Sequence, residues 1–461
     1  MLSVLMAILA SAAVPTFEAK PCTGLPPQAH ARCGTVSVPE DRSTPSGRRI
    51  ALNVVVVPAA NPAREPQALF DLEGGPGLAD THNAAFYLSD GLAYSATRDI
   101  VLVDQRGTGD SNPLDCPEFD AADQALEPMF PEAAVRSCRA RLERRAALEH
   151  YTTDDAAADL DAVREALGYP RIDLVALSYG TTLAMRYIAL YEPRVRSAIL
   201  LSAVPPSAMP PRHHATAAQA AMEQLFADCR ADAACHARYP ALQGNLTDAL
   251  RALRAGGRVD PEVAMERLRT KLYSASGMRA LPSIIGRLAA GDASILASGN
   301  ERAGFNYYDG VYLSITCSES LPWFDVRNAM DASRRTQFGD YRLARQRAAC
   351  AQWPRASVRR DFFAPVRSSV PTLFVSGGRD PVTPARWAEQ AARGFRHARR
   401  IVIPWAGHVV DGLGGLDTCF DPQMIRFLDA ADPKAVDAGC FADMHPPAFD
   451  LAERAPSLSE K

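Results

Sequence analysis

Short apolar segments alternate with helical segments along much of this chain, and this alternation limits the possible folds more than any other feature. Segments typical of strands occupy residues 35–39, 49–57, 68–72, 100–103, 172–176, 198–201, 372–376 and 400–403. Helices are predicted over 154–167, ending at Gly168, and over 181–191. Buried strands that alternate with helices favour a mostly parallel sheet with helices on both faces. We therefore predict an α/β fold of the doubly wound kind.

The alternation stops between about residues 205 and 365. This segment is helical in pattern, is rich in Ala and Arg, and begins with VPPSAMPP. A helical insertion of this size on an α/β core predicts a cap domain. The predicted organisation is a signal peptide at 1–13, a core formed by 14–204 and 366–461 (the latter with a C-terminal extension), and a helical cap at 205–365.

The N-terminal segment has the pattern of an export signal. Residues 2–13 are almost wholly apolar and end in small residues, which suits signal-peptidase cleavage. The run is shorter than the roughly 20 residues that span a bilayer, and no lipidation motif precedes Cys22. No Lys or Arg precedes the run, so a buried N-terminal helix or a misassigned start is the alternative. We expect a periplasmic or secreted protein without a membrane anchor.

Ten cysteines add support for export, because an even number in an exported chain suggests disulfides. They fall into couples that are close in sequence: Cys22 with Cys33, Cys116 with Cys138, Cys229 with Cys235, Cys317 with Cys350, and Cys419 with Cys440. Sequence alone does not fix connectivity, and local pairing is our prediction. A structural zinc site is the weaker interpretation, since no CxxC occurs and Cys229, Cys235 and His236 lack a second ligand pair. No metal is predicted.

Composition excludes several classes of function. Fifty basic residues against 53 acidic ones give a net charge of −3, without the basic excess of a nucleic-acid-binding protein. With 47% hydrophobic and 22% charged residues, the chain resembles neither disordered nor polytopic membrane proteins. No Walker lysine loop, dinucleotide fingerprint or HExxH motif occurs, so no cofactor is predicted.

The sequence ALSYG, which contains Ser178, lies between a predicted strand and a predicted helix. A sharp turn in this setting lifts a nucleophile off the end of the sheet, and small residues must flank it. Asp380 and His408 each follow a predicted strand, giving the chain order Ser, Asp, His that such a triad takes on this kind of sheet. We predict Ser178 as nucleophile, His408 as its base and Asp380 as the orienting acid. His213 and His214 are expected to be solvated.

The developing negative charge on an attacked carbonyl needs two backbone N–H donors. One is predicted at Tyr179, directly after the nucleophile, and the second at Gly74 or Gly75 in the GGPG loop. Glycine lets the backbone approach a substrate closely, although GGPG is also compatible with a simple tight turn. Asp104 and Arg106, in DQRGTGDS, are predicted to brace the neighbouring loops by charge-assisted hydrogen bonds.

Five motifs follow one another along the chain: GGPG, DQRGTGDS, SYG, SGGRDPVTP and AGH. In this order they resemble the proline iminopeptidase-like serine peptidases of the α/β-hydrolase fold, and especially their exported tripeptidyl-aminopeptidase-like branch. The resemblance covers most of residues 30–420 and is least close in the predicted cap. Glu73 replaces the usual His before GGPG, Ala176 replaces Gly, and LLSAVPP replaces an LDGV pattern. These departures concern the substrate class and remove no triad member.

The resemblance implies hydrolysis of a peptide bond near a free N-terminus, through an acyl-enzyme on Ser178. Cap carboxylates hold the substrate's α-ammonium in such enzymes, so Glu319, in ITCSES, is the candidate amine anchor; a solvated carboxylate is the alternative. The expected partner is a short peptide with a free N-terminus. A carboxylesterase on the same scaffold is the alternative activity, and a non-enzymatic binding protein would require a broken triad. The number of residues released, any proline preference and the oligomeric state stay open.

Overall fold

One sheet organises the part of the chain that the computed structural model describes, residues 15–25, 30–62, 67–120, 126–257, 259–297 and 307–451. The predicted signal peptide at 1–13 lies outside these residues. Nine strands form the sheet in the described ranges. They are β1 (Phe17–Lys20), β2 (Arg32–Pro39), β3 (Arg49–Val57), β4 (Ala68–Leu72), β5 (Asp99–Val103), β6 (Ile172–Leu177), β7 (Val195–Leu201), β8 (Thr372–Gly377) and β9 (Ala398–Ile403).

The strand order is β1-β2-β3-β5-β4-β6-β7-β8-β9. The pairs β1–β2, β2–β3 and β3–β5 are antiparallel. The pairs β5–β4, β4–β6, β6–β7, β7–β8 and β8–β9 are parallel. Alternate residues of β3 and β4 pack into two separate apolar clusters, so both faces of the sheet are covered. All residues of β4 and β8 are buried for this reason. The predicted mostly parallel α/β sheet is confirmed.

Helices connect the strands and build a large insertion. The described α-helices are α1 (Ala84–Tyr87), α2 (Glu132–Leu142), α3 (Thr153–Ala166), α4 (Tyr179–Tyr191), α5 (His214–Ala231), α6 (Ala233–Arg238), α7 (Leu242–Gly256), α8 (Pro261–Lys271), α9 (Ala275–Ala289), α10 (Asp309–Glu319), α11 (Val326–Arg334), α12 (Tyr341–Cys350), α13 (Arg386–Ala392) and α14 (Asp421–Ala430). Helix α3 begins where Thr152 Oγ1 accepts a hydrogen bond from the backbone N–H of Asp155 at 3.2 Å. It ends before Gly168, whose φ of +79° suits glycine.

The chain between β7 and β8 contains helices α5 to α12 and no strand in its described part, and we call it the helical insertion. Most of its helices share an apolar cluster that includes Met222, Leu225, Leu246 and Leu268, to which Phe449 also contributes, whereas α10 packs into the main cluster of the sheet. Hydrogen bonds join the insertion to the sheet-bearing part: Val409 N–H donates to the Tyr273 carbonyl, and Tyr308 N–H donates to the Gly77 carbonyl, both at 2.9 Å. The insertion is thereby held against the loops that follow β4 and β9. The domain boundaries at 204/205 and 365/366 stay a prediction.

All ten cysteines are paired in the structure. The pairs are Cys22–Cys33, Cys116–Cys138, Cys229–Cys235, Cys317–Cys350 and Cys419–Cys440. The predicted local pairing is confirmed.

Among the helices of the described residues, none has the length and apolar character that crossing a membrane requires.

The DQRGTGDS loop after β5 has a structural role. Arg106 is 2% exposed and makes two hydrogen bonds to Asp159, from Nε and Nη2, each 2.7 Å long. Its Nη1 also donates to the Glu40 carbonyl at 2.9 Å. Asp104 accepts hydrogen bonds from the Thr81 hydroxyl at 2.8 Å and from Asn53 at 2.7 Å. These charge-assisted bonds tie the loops below the candidate site to one another.

Candidate active site

Ser178 occupies the sharp turn between β6 and α4. Its backbone has φ 55° and ψ −122°, a conformation that L-residues rarely adopt and that is held here by close packing. A Cβ on Gly180 would lie only 2.1 Å from the Leu72 carbonyl oxygen, so this position requires glycine. Ala176 is fully buried in β6, where it pairs with Leu72 and Leu200 of the adjacent strands. Alanine in place of the expected first glycine therefore leaves the turn intact.

Strands β8 and β9 bring Asp380 and His408 together. His408 Nδ1 lies 3.0 Å from Asp380 Oδ2 and 3.2 Å from Oδ1. The Thr383 hydroxyl donates to Oδ2 at 2.6 Å, and the backbone N–H groups of Val382 and Thr383 both donate to Oδ1 at 2.8 Å. Sequence reasoning overlooked Thr383, although it stands three residues after Asp380 in the SGGRDPVTP motif.

The charge state of Asp380 follows from these contacts. Burial by itself raises the pKa of this carboxyl, but the charge and hydrogen bond of His408 and the hydrogen bonds from Thr383 outweigh it and hold the pKa below its ordinary value. An ionised Asp380 orients the imidazole with Nδ1–H towards the carboxylate. The other ring nitrogen, Nε2, is then able to accept a proton.

Ser178 and His408 line one cavity of about 840 Å³, and Gly74, Gly75 and Glu319 line it too. The cavity lies between the carboxyl ends of the parallel strands and the helical insertion, where ligands of open α/β sheets usually bind. Asp380 is buried behind His408. The candidate nucleophile and its candidate base thus line one cavity, whose volume accommodates a short peptide.

The candidate oxyanion donors differ in their surroundings. Tyr179 is the first residue of α4, so its N–H lies at the positive end of a helix directly after Ser178. Gly74 packs against the nucleophile, because a Cβ there would lie 3.0 Å from Ser178 Cβ. Its N–H, however, donates to the Glu73 carboxylate at 3.0 Å. Gly74 and Gly75 both stay predicted donors, and the Gly74 N–H would have to leave Glu73 to bind an oxyanion.

Glu73 belongs to a polar cluster beside this loop, in which Asp71 and Asp80 are buried while Glu73 and Asn83 line the cavity. Asn83 Nδ2 donates to Glu73 Oε1 at 2.7 Å and to Asp71 Oδ2 at 2.9 Å. The Glu73 N–H donates to Asp80 Oδ1 at 2.7 Å. Burial and the neighbouring charge of Glu73 raise the pKa of Asp71 to about 7. The glutamate that stands where related peptidases carry histidine thus fixes the conformation of the GGPG loop.

Glu319 ends α10, a helix in which every residue is buried. Its Oε1 accepts a hydrogen bond from the Thr153 N–H at 2.7 Å, and its Oε2 accepts one from the Thr153 hydroxyl at 2.5 Å. The same hydroxyl lies 2.9 Å from the Tyr179 hydroxyl. Burial raises the pKa of Glu319 to about 8, against the lowering effect of the Thr153 hydrogen bonds. The structure thus excludes the solvated alternative for Glu319 and places its carboxyl in the cavity wall.

A family model described as the alpha/beta hydrolase fold matches residues 72–410 of the sequence. The chain belongs to this family. The match spans the turn of Ser178 and the loops of Asp380 and His408. The α/β-hydrolase fold predicted from the five motifs is confirmed, and the chain is a serine hydrolase.

Curated relatives of this α/β hydrolase are similar over most of their length. A tripeptidyl aminopeptidase of Streptomyces coelicolor is 28% identical, over 89% of this chain and 83% of the relative. The serine protease Hip1 of Mycobacterium tuberculosis is 26% identical, over 89% and 88%. Carboxylesterase B of the same species is 28% identical, over 87% and 85%. Both predicted activities are thus represented among its relatives.

Two further features of this hydrolase concern side chains that sequence reasoning misjudged or left out. His214 was expected to be solvated, but both of its ring nitrogens are buried, and it lines the cavity. The Tyr273 ring stands edge-on to the His408 ring with centroids 5.0 Å apart, so the helical insertion contacts the candidate catalytic imidazole. Neither His214 nor Tyr273 belongs to a sequence motif that would have indicated its place in the cavity wall.

Among the described side chains, Cys116, Glu118 and Cys138 form one group whose donor atoms lie close enough together to hold a metal ion. The two cysteines are joined in a disulfide and present no thiolate to an ion. This group is therefore structural.

Proposed function

We propose that this serine hydrolase cleaves peptides near a free N-terminus through an acyl-enzyme on Ser178. The observation that carries the proposal is the buried carboxyl of Glu319 in the wall of the cavity that holds Ser178 and His408. A buried carboxylate is costly unless a cation or hydrogen bonds compensate it. A substrate ammonium is the cation that a peptide with a free N-terminus supplies.

The chemical steps follow from the positions of the side chains. His408 Nε2 accepts the Ser178 hydroxyl proton as Oγ attacks the scissile carbonyl, and Asp380 stabilises the imidazolium that forms. The N–H groups of Tyr179 and Gly75 bind the oxyanion. His408 then gives its proton to the leaving amine, which departs with the C-terminal part of the peptide. Water, deprotonated by His408, attacks the acyl-enzyme and releases the N-terminal part.

The relatives support a peptidase and also define the alternative. Tripeptidyl aminopeptidase and Hip1 are named for peptidase activity, and Carboxylesterase B is named for ester hydrolysis. An acyl-enzyme hydrolyses esters and amides by the same steps, so the triad does not separate the two activities. The Glu319 carboxyl distinguishes the peptidase from the esterase, because a neutral ester has no ammonium group that this carboxyl could bind.

Export and a separate cap are part of the same proposal. Five disulfides are typical of proteins that fold in an oxidising compartment, which supports a periplasmic or secreted location.

The helical insertion would act as a cap that closes the cavity from above. The apolar cluster that most of its helices share supports a separate unit of this kind.

Turnover of matched substrates tests the proposal. The set is an unblocked Ala-Ala-Pro anilide, its N-acetyl form, a single Pro anilide and a short p-nitrophenyl ester. We expect cleavage of unblocked anilides, loss of activity in Ser178→Ala, and a larger rise in KM for unblocked peptides than for the ester in Glu319→Gln. Ester turnover without anilide cleavage, or equal cleavage of the N-acetyl form, would contradict the aminopeptidase.

A further inference from the structure

His214 is a half-buried residue whose two ring nitrogens are buried in the candidate active site. It is the first residue of α5 in the helical insertion and lines the same cavity as Ser178. Neither Nδ1 nor Nε2 has a hydrogen-bond partner among the described residues, although both atoms are buried. Buried polar atoms in folded proteins are nearly always hydrogen-bonded. A polar group of the substrate is the partner that this cavity can supply.

The charges around His214 indicate what that group is. Burial and the positive charges of Arg342 and Arg269 lower the pKa of His214 against the smaller opposing effect of Glu266, which is ion-paired with both arginines, so the ring is neutral and has one N–H to donate. Arg342 and Lys271 also line the cavity. Arg342 Nε is oriented by a 2.9 Å hydrogen bond to Glu266. A neutral N–H donor next to basic side chains favours an acceptor that carries negative charge, and a carboxylate is the group of this kind that peptides contain.

The position of His214 relates it to the leaving group. The charge of His408 reaches His214 and lowers its pKa further. Tyr273 contacts the His408 ring, and its hydroxyl accepts a 2.8 Å hydrogen bond from Arg269, whose charge also acts on His214. Because His408 protonates the leaving amine, side chains next to it face the part of the peptide that departs. Glu319 lies in another part of the cavity wall, where the Thr153 hydroxyl is hydrogen-bonded to both the Glu319 carboxyl and the Tyr179 hydroxyl.

We propose that His214 and Arg342 bind a carboxylate on the leaving group of the substrate. The inference rests on the proposed function and narrows it to short peptides that are held by an amine at Glu319 and by a carboxylate at the helical insertion. A cavity of about 840 Å³ accommodates a peptide of a few residues. The carboxylate is either the C-terminus of the peptide or an acidic side chain, and the experiment below distinguishes the two.

Calorimetric binding to the full-length Ser178→Ala protein tests this without turnover. The probes are the dipeptide Ala-Ala, its C-terminal amide, and Ala-Glu with an amidated C-terminus. We expect at least one carboxylate-bearing probe to bind roughly 10-fold more tightly than Ala-Ala amide, as a charge-assisted hydrogen bond requires. Preference for Ala-Ala assigns the site to the C-terminus, and preference for Ala-Glu amide assigns it to a side chain. Equal affinities for all three probes would overturn the proposal.

Variants of His214, His213 and Arg342 test which side chain causes the difference in affinity. In the Ser178→Ala background, His214→Leu should reduce the affinity ratio to about 1, whereas the neighbouring control His213→Leu should keep it. His213 packs against the Trp387 ring, with centroids 6.1 Å apart, and is not part of the cavity wall. An unchanged ratio in His214→Leu would overturn the assignment. If that variant does not fold, Arg342→Gln must lower the ratio instead.

The two proposals fail separately. Turnover of esters but of no unblocked peptide would refute the peptidase, and the relative affinities of the three probes would still decide the carboxylate site. Cleavage of unblocked peptides together with equal affinities for all three probes would refute the carboxylate site alone.

Discussion

Binding of a peptide amine beside Glu319 should release a proton at neutral pH. Burial raises the pKa of this carboxyl to about 8, so about nine tenths of it is protonated at pH 7. An ammonium held against the carboxyl stabilises its ionised form and displaces the proton. A free peptide amine, with a pKa of about 8, takes up only about one tenth of a proton at pH 7 to become fully charged. The expected net release is therefore about 0.8 proton per peptide bound.

The sign of this exchange should reverse with pH. At pH 9 about nine tenths of the carboxyl is already ionised, while about nine tenths of the free amine must take up a proton to bind as ammonium. Binding should then consume about 0.8 proton, with a crossover near pH 8. A carboxyl with an ordinary pKa would show almost no exchange at pH 7.

Titration calorimetry of Ser178→Ala with unblocked Ala-Ala-Pro amide, in buffers of different ionisation enthalpy, measures the proton count. The N-acetyl peptide and the double variant Ser178→Ala/Glu319→Gln are the controls, and neither should release a proton at pH 7. Proton uptake or no exchange with the unblocked peptide at pH 7 would refute the placement of the ammonium against Glu319.

Three further predictions concern the framework of the site. Thr383→Val removes a donor to the ionised Asp380 and should lower kcat roughly 10- to 100-fold with little change in KM, since a hydrogen bond to a charged group is worth about 1.5–3 kcal/mol; unchanged kcat would contradict the role. Gly180→Ala places a Cβ 2.1 Å from a backbone carbonyl oxygen and should lower the free energy of unfolding by about 3 kcal/mol or more, measured by urea denaturation; a wild-type midpoint would disprove the clash. Replacing Cys317 and Cys350 together by Ser opens a loop with a sequence separation of 33 and should cost about 3–4 kcal/mol in the same assay. A loss below about 1 kcal/mol would show that this disulfide is dispensable.

The parts of the molecule that local sequence determines could be predicted. The turn at Ser178 depends on residues within a few positions of it, namely a buried strand before it, Gly180 after it and a helix beginning at Tyr179. The disulfides join cysteines separated by only 6 to 33 residues, so local pairing was sufficient. Parallel pairing followed from strands that alternate with helices. The short edge strand β1 has too weak a pattern for recognition.

Contacts between distant segments could not be predicted. Thr153 and Glu319 are 166 residues apart, so their hydrogen bonds depend on how the helical insertion packs on α3. The burial of His214 depends on the same packing, because it follows from α5 lying over the cavity. The hydrogen bond from the Gly74 N–H to the Glu73 side chain, one residue away, was not predicted either. Backbone donors in such loops are assigned only when all their acceptors are known.

Covalent labelling of Ser178 tests the central claim most directly. The protein is incubated with a fluorophosphonate, or quenched during turnover of an unblocked peptide ester, and the adduct is located by peptide mass spectrometry. We predict one adduct, on the peptide that contains Ser178, that is absent from Ser178→Ala and forms much more slowly in His408→Ala. An adduct on another residue, or labelling that does not depend on His408, would contradict the assignment of the nucleophile and its base.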